Sequence, residues 1–457
     1  MSTITSAIPA DDAISGVSLY RAIWRWHFFA GLLVLPFLLN LAVTGSIYLF
    51  KDEINDSVFA YRYDVIPAGE VLAPEKLAEI AADAVPGSKL SSYKDPATPE
   101  RSAIVTVSGN AGSTLVFINP YDGKVLDTVG STQEFNHVVK RIHSLAFFGD
   151  VPNKLIEVTG GFAMVLVATG IYLWWPRRQT GGVVTVRGTP NKRVFWRDTH
   201  AVTGAFAGIL IFFLAATGMP WSGYWGANVQ AWLGNHGLGY PAQLWDDVPK
   251  SQKVTQDILP LVGWAVEQAP VPLSDIAAAQ SKTPIGLNRA VEVAKAAGLT
   301  SGFDMAVPVD ETGVYSAAVY PDDLSRERMI HIDQYSAKPL VDISYGQYPV
   351  FGRAIEWGIN VHQGQEFGRL NQFLMLATCL GIILCCVSGV VMWWKRRPSG
   401  RIGVPPAPPR RSVYVGLWAI ALVFALVFPL TGIAIAAMIL IDQAFIRTIP
   451  PLRRAFA

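Results

Sequence analysis

Four histidines stand at matched places along this 457-residue chain. His27 is followed by Gly31 and, at +17 and +18, by Thr44-Gly45, while His200 is followed by Gly204 and, at the same offsets, by Thr217-Gly218. His143 has Phe148 and Gly149 at +5 and +6, Gly170 at +27 and Trp174-Trp175 at +31 and +32. His362 has Phe367, Gly368, Gly389 and Trp393-Trp394 in those same places. Imidazole is the commonest protein ligand for metal ions, and ionisable groups within apolar spans are rare and functional by default. A single His at a helix start reads as an interfacial side chain or a cap. Four kept in register through an internal repeat predict a membrane-embedded metal centre.

The chemistry points to haem rather than a bare ion. No clustered Cys/His or carboxylate spacing completes a four-ligand zinc site from either pair. Two neutral imidazoles fill both axial positions of haem iron, which suits electron transfer rather than oxygen binding. Gly31, Gly45, Gly160, Gly161, Gly204, Gly208, Gly218 and Gly381 leave room for a flat macrocycle between backbones. No Cys-x-x-Cys-His occurs, so attachment is expected to be non-covalent and the cofactors two haem b. The residues do not identify a separate catalytic group. His137, His236 and His331 lack matched partners, with Glu356 at the repeat position of His137, and read as surface or structural groups. Cys379, Cys385 and Cys386 share one apolar stretch and read as packing.

Holding such a centre requires membrane helices, and the composition supplies them. The chain is 51% hydrophobic and only 16% charged, against about 25% charged in soluble domains. A spanning helix needs about 20 apolar residues, and the stretches 28–50, 155–175, 201–221, 370–394 and 413–441 predict five crossings. The first is longer than a signal-peptide core and is expected to stay as an anchor. Between the repeat copies the offset grows from 173 to 219 residues, so 46 extra residues fall in an exposed loop. The expected organisation is an α-helical membrane bundle with two α+β outer domains. Residues 1–50 hold the first span, 51–154 the first domain and 155–221 two spans around a short loop. Residues 222–369 form the second domain and 370–457 the last two spans.

Orientation follows from basic residues near the helix ends. Arg177, Arg178, Arg187, Lys192, Arg193 and Arg197 precede the third span, and Lys395, Arg396, Arg397, Arg401, Arg410 and Arg411 follow the fourth. With Arg21 and Arg25 they predict a cytoplasmic N-terminus and place both large domains outside. Five crossings then leave Arg447, Arg453 and Arg454 outside, against the rule. His27 and His200 lie at the cytoplasmic start of outward helices, and His143 and His362 at the outer start of inward ones. A pseudo-twofold axis would pair His27 with His200 and His143 with His362, one iron per pair. Thr431-Gly432 repeats the helix ending once more, but 17 residues earlier stands Tyr414, so no third haem is expected.

Trp24-Arg25-Trp26-His27 with Thr44-Gly45, the His143 to Gly149 turn leading to Trp174-Trp175-Pro176, and their second copies resemble the PepSY-associated transmembrane family of iron-regulated inner-membrane proteins. The likeness covers most of the chain. Ile118-Asn119-Pro120-Tyr121-Asp122-Gly123-Lys124-Val125-Leu126 resembles the closing hairpin of a PepSY domain, and the stretch from Pro74 to Ala84 its preceding helix. The second copy, Ile332 to Leu340, lacks the Asn-Pro and the turn Gly. The resemblance implies a di-haem reductase of ferric siderophores in the bacterial inner membrane, with large periplasmic loops. His27 and His200 would hold the cytoplasmic haem and His143 and His362 the periplasmic one. Expected partners are a ferric siderophore, membrane lipid and a cytoplasmic or quinol electron donor, with no nucleic acid. No Gly-x-Gly-x-x-Gly dinucleotide motif occurs in the right setting. The aromatic stretches Trp221 to Trp225 and Tyr345 to Tyr348 flank a chelate or serve as belt and packing. A PepSY-type binding or regulatory protein and a transporter of haem or siderophore are the alternative readings.

Overall fold

The computed structural model describes residues 10–177, 181–259, 261–275, 283–299, 301–407 and 412–456; Arg178, Arg410 and Arg411 lie outside the described residues. The elements used below are, in chain order, α1 (Ala10–Tyr48), α2 (Pro74–Ala84), β1 (Lys89–Lys94), β2 (Ala103–Gly109), β3 (Gly112–Ile118) and β4 (Val125–Gly130). Next come α3 (Phe135–His143), α4 (Asp150–Trp174), α5 (Arg193–Gly218), β5 (Lys250–Val254), β6 (Pro270–Pro272), α6 (Gly286–Ala296), β7 (Asp304–Ala306) and β8 (Val314–Val319). Then follow β9 (Arg328–Asp333), β10 (Pro339–Ser344), α7 (Val350–His362), α8 (Gly368–Arg396), α9 (Ser412–Val427) and α10 (Pro429–Leu440). The chain divides into two compact units, Met1–Ser46 with Ile142–Ala227 and Phe373–Ala457, and Ile47–Arg141 with Asn228–Gln372.

The first unit is helical. Among the described residues five helices are long and apolar enough to cross a membrane: Leu19–Tyr48, Asp150–Trp174, Arg193–Trp221, Gly368–Arg396 and Pro429–Ile446. Phe206 and Ile209 stand exposed on the third of these, and Leu422 and Leu426 on the shorter apolar helix before the fifth, the pattern of a surface solvated by lipid. Inside, Trp26, Ala30 and Val34 of α1 pack with Phe162, Ile435 and Ile439. Several glycines expected to make room for a macrocycle instead admit neighbouring helices. A Cβ at Gly161 would strike Thr431, and one at Gly160 would lie 2.9 Å from Met219 Sδ.

The fifth crossing, expected as one helix over 413–441, is two. Phe428 leaves the helical region at φ −130° and ψ 83°, and Pro429 lacks the N–H a continuing helix needs. The chain folds back, so that Gly432 lies against the backbone of Ala425 and the Tyr414 hydroxyl reaches Asp442 Oδ2 at 3.3 Å. Asp442 also takes Arg25 at 2.5 Å, so the hairpin returns to the end of the bundle where Arg25 stands. Arg447 bonds the Tyr414 hydroxyl at the same end. The segment around Asp442 and Arg447, expected at the opposite end of the helical unit from Arg25, therefore lies at the same end, an arrangement that agrees with the basic-residue rule.

The second unit corrects the expectation of two separate domains. Its eight-stranded sheet runs β10-β9-β8-β7-β1-β2-β3-β4, and the two halves meet where β1 pairs antiparallel with β7, Tyr93 opposite Met305. Each half has the order helix and four strands, so the sheet reads alike from both edges. Ala103, Val105 and Val107 of β2 are buried at alternate positions, as a one-sided core requires. Leu77 and Ala81 of α2 and Leu287 and Ala290 of α6 close over Tyr93, Val116, Ile330 and Ile332. The hairpin read from Ile118 to Leu126 forms as expected, with Gly123 at φ +74° and its N–H on Asn119 O. Its second copy keeps that turn without the glycine. Ala337 N–H donates to Asp333 O and Ala337 takes φ +60°, while Asp333 Oδ1 accepts from the N–H of Tyr335 and Ser336.

Candidate metal centre

His27 of α1 and His200 of α5 meet inside the helical unit with ring centroids 6.3 Å apart and planes at 90°. Two imidazoles sharing one metal, each bonded at about 2 Å and with its nitrogen about 1 Å from the ring centre, have centroids about 6 Å apart. The pair therefore has the span of two axial ligands on one iron. Among the described residues no group of three or more His, Cys, Asp or Glu could hold a bare metal ion. Two imidazoles without further protein ligands fit an ion whose other positions a macrocycle fills.

Hydrogen bonds to the far ring nitrogens decide the tautomers. Thr169 Oγ1 gives its one proton to Val165 O at 2.7 Å, so toward His27 Nδ1, 2.8 Å away, it can only accept. His200 Nδ1 faces the carbonyl of Cys385 at 3.0 Å, also an acceptor, with Ser388 Oγ at 3.3 Å. Ser388 is itself committed to Leu384 O. His143 Nδ1 lies 2.9 Å from Thr44 Oγ1, whose proton goes to Asn40 O. The carbonyl of Cys385 requires hydrogen on His200 Nδ1, and Thr169 and Thr44, with carbonyls of their own helices in reach of their protons, favour the same form of His27 and His143, which leaves Nε2 its lone pair to ligate metal.

Each hydroxyl is followed by a glycine that lets the ring lie flat against its helix. A Cβ at Gly170 would sit 3.4 Å from His27 Cε1, at Gly45 3.4 Å from His143 Cε1, and at Gly389 3.6 Å from His200 Cε1. The Thr-Gly or Ser-Gly pair on one helix therefore seats the histidine of another. Thr44-Gly45 was visible in the sequence as a helix ending. Thr169 and Ser388, both at +26 from the second histidine of their copies, were not picked out, although the shared offset carried the signal.

His143 is the last residue of α3 and belongs to the helical unit, whereas His362 is the last residue of α7 and belongs to the sheet-bearing unit. Thr217, at the repeat position of Thr44, likewise sends its proton back to its own helix, to Phe213 O at 2.7 Å. Of the remaining histidines, His137 and His236 are exposed and His331 is fully buried in β9, with Ser316 Oγ 2.7 Å from its Nδ1.

The residues read as belt and anchor also have local partners. Trp174 Nε1 donates to Val183 O and Trp393 Nε1 to Ile402 O, each nine residues on, while Trp175 and Trp394 stay exposed. Arg187 and Arg197 enclose the buried carboxylate of Asp198, and the Arg397 guanidinium lies over Trp394 at 3.6 Å. Buried Glu157 accepts from the N–H groups of Trp225 and Leu430, at the starts of two helices, where a carboxylate complements the helix dipole. Tyr348 is core rather than chelate-facing, bonded to Glu327 at 2.7 Å.

A search of curated proteins returned no match. The family model described as PepSY-associated TM region matches residues 24–396, a stretch that contains all four histidines and both copies of the repeat. This multi-pass helical chain belongs to the PepSY-associated transmembrane family.

Proposed function

We propose that the chain is a di-haem b oxidoreductase of the bacterial inner membrane, passing electrons outward to reduce a ferric siderophore in the periplasm and release its iron. The observation that carries this is the His27–His200 pair, 6.3 Å between ring centroids with perpendicular planes, with Thr169 Oγ1 and Cys385 O behind the two rings. His27 and His200 would hold one haem and His143 and His362 the other. When bound, haem supplies a one-electron carrier that changes charge without changing its two axial ligands. The chain's own part is to fix the imidazoles through Thr169, Cys385 O, Ser388 and Thr44 and to exclude water with apolar helices. A reduced siderophore holds its iron far more weakly, so release needs no hydrolytic group. The electron donor is a cytoplasmic reductant or a quinol, and the outer unit receives the chelate.

Purified protein is expected to show a low-spin bis-histidine spectrum with two haems per chain. His27→Ala should lose one haem and His143→Ala the other. A colourless protein favours the binding or regulatory reading. In liposomes, iron reduced outside supports the reductase, and chelate carried inside supports the transporter.

A further inference from the structure

The sheet-bearing unit buries two carboxyl groups that the proposed electron path does not use. Glu356 of α7 is 0% exposed and Glu327, just before β9, 2%. They converge on one stretch of backbone: a Cβ at Gly263 would overlap Oε1 of Glu327 and lie 2.9 Å from Oε1 of Glu356. Their polar partners are donors. Tyr348 gives its hydroxyl proton to Glu327 Oε1 at 2.7 Å, Tyr320 to Glu356 Oε2 at 3.1 Å, and Ala265 its N–H to Glu356 Oε1 at 2.7 Å. Oε2 of Glu327 is buried with no hydrogen-bond partner.

The charges facing the pair do not neutralise it. Glu267, beside Glu356, is a third acid. Arg328, next to Glu327, is committed to Asp342 through two hydrogen bonds. Arg353 and Arg326 are the other cations on the adjoining segments, and Arg353 meets the cluster through its carbonyl, which accepts from Tyr345. Two carboxylates this close and this dry do not both ionise. Burial pushes Glu327 up to about 7, and burial together with the charge of Glu327 raises Glu356 well above the usual range. A metal cation would want further acceptor oxygens, whereas the partners here donate. One proton on either carboxyl leaves the pair a single negative charge. The duplication does not demand this site, since the first copy has the exposed His137 at the place of Glu356.

We propose that Glu327 and Glu356 form one proton-binding site, which takes a single proton from water as an electron reaches the iron that His362 would hold. This rests on the reading of His362 as a ligand. Glu356 and His362 lie on one helix, six residues and thus about 9 Å of rise apart, and a charge change at the iron would act on a carboxyl pair whose burial leaves little solvent to screen it. Each electron supplied by the cytoplasmic or quinol donor would be accompanied by at most one proton to the pair. Each transfer to the ferric chelate releases both.

Spectroelectrochemistry of the full-length holoprotein across neutral pH tests the coupling. One of the two haem potentials is expected to fall as pH rises, by up to about 59 mV per pH unit, and the other to stay level. Glu327→Gln should level both. Infrared pH titration, which needs no haem, should show a protonated carboxyl band titrating near neutrality and absent in Glu327→Gln. Tyr348→Phe, which removes a donor to the ionised form, should shift that titration to higher pH. Level potentials in a protein with both haems, a slope surviving in Glu327→Gln and Glu356→Gln, or no titrating carboxyl band would each overturn the proposal. Retention of both haems in His362→Ala would instead refute the ligand assignment, leaving the infrared result to judge the proton site alone.

Discussion

At the scale of single residues, the orientation of an imidazole is decided by whatever its second nitrogen touches. Thr169 has one hydroxyl proton and sends it to Val165 O, which turns the oxygen toward His27 into a pure acceptor. Thr169→Val keeps the shape and removes that acceptor. Losing such an outer partner typically costs about 10- to 100-fold in metal affinity, so haem titration of Thr169→Val should show a loss of this size and Thr169→Ser should recover most of it. An affinity equal to wild type in the Val variant would mean that the hydroxyl does not orient the ring. His331 gives a contrasting case, a buried histidine serving the core. Burial pushes its pKa down to about 3, so the folded ring stays neutral while the unfolded one protonates at about 6.5. The unfolded state then binds more protons between those values, and stability is full above about pH 6.5 and is lost as pH falls toward 3. The expected slope is about 1.4 kcal/mol per pH unit in that window. Thermal melts of His331→Gln should show a shallower acid decline than wild type.

At the scale of elements, turns show what the chain tolerates and how much of it could be read. The first hairpin uses Gly123 at φ +74°, and the second puts Ala337 at φ +60° in the equivalent turn, a conformation that costs an L-residue about 1 kcal/mol. Ala337→Gly should therefore stabilise the sheet-bearing unit by roughly 1 kcal/mol in denaturant melts, whereas Ala337→Val should destabilise it by more. The α2 helix from Pro74 to Ala84 and the Asn119 to Lys124 turn were legible because capping proline, helical periodicity and turn glycine are local signals. The second turn was not, because Asp333 replaces Asn119 and its side chain rebuilds the bonds by a route that composition does not announce. The break at Phe428-Pro429 was legible in principle, since proline ends helices. It was hidden inside an apolar run long enough to pass for one span. The β1–β7 pairing was out of reach of any local pattern, because those strands lie about 200 residues apart and their register depends on the halves meeting. For the candidate centre, the four histidines were plain from their offsets, while the hydroxyls behind them emerged only once different helices of the same copy were packed together.

At the scale of the whole molecule, the duplication is expressed in both units and gives way at the C-terminal end of the helical one. The palindromic sheet order and the His-to-hydroxyl seats of Thr169-Gly170 and Ser388-Gly389 repeat faithfully. The third Thr-Gly ending, Thr431-Gly432, does not. It opens the returning arm of a hairpin whose other arm, α9, carries Tyr414 in its first turn, so the site where a third histidine would stand is filled by a phenol bonded to Asp442. Four long spans are followed by one hairpin that returns to the end of the helical unit where Arg25 stands, and its first arm is short: α9 has 16 residues, about 24 Å against a hydrocarbon core of about 30 Å. The ion pair of Arg25 with Asp442 holds that return, with both side chains buried and with Arg25 also bonded to Pro405 O at 2.5 Å. Removing one partner of such a pair leaves an uncompensated charge and costs about 3–5 kcal/mol. Asp442→Asn should therefore release the C-terminal arm, seen as faster proteolysis at Arg447, Arg453 and Arg454 in vesicles whose basic-rich face is exposed. Arg25→Met with Asp442→Leu, which removes both charges, should restore protection. Reporters fused to the two termini should label from the same side of the membrane; labelling from opposite sides would restore the single fifth crossing and leave the three terminal arginines unexplained.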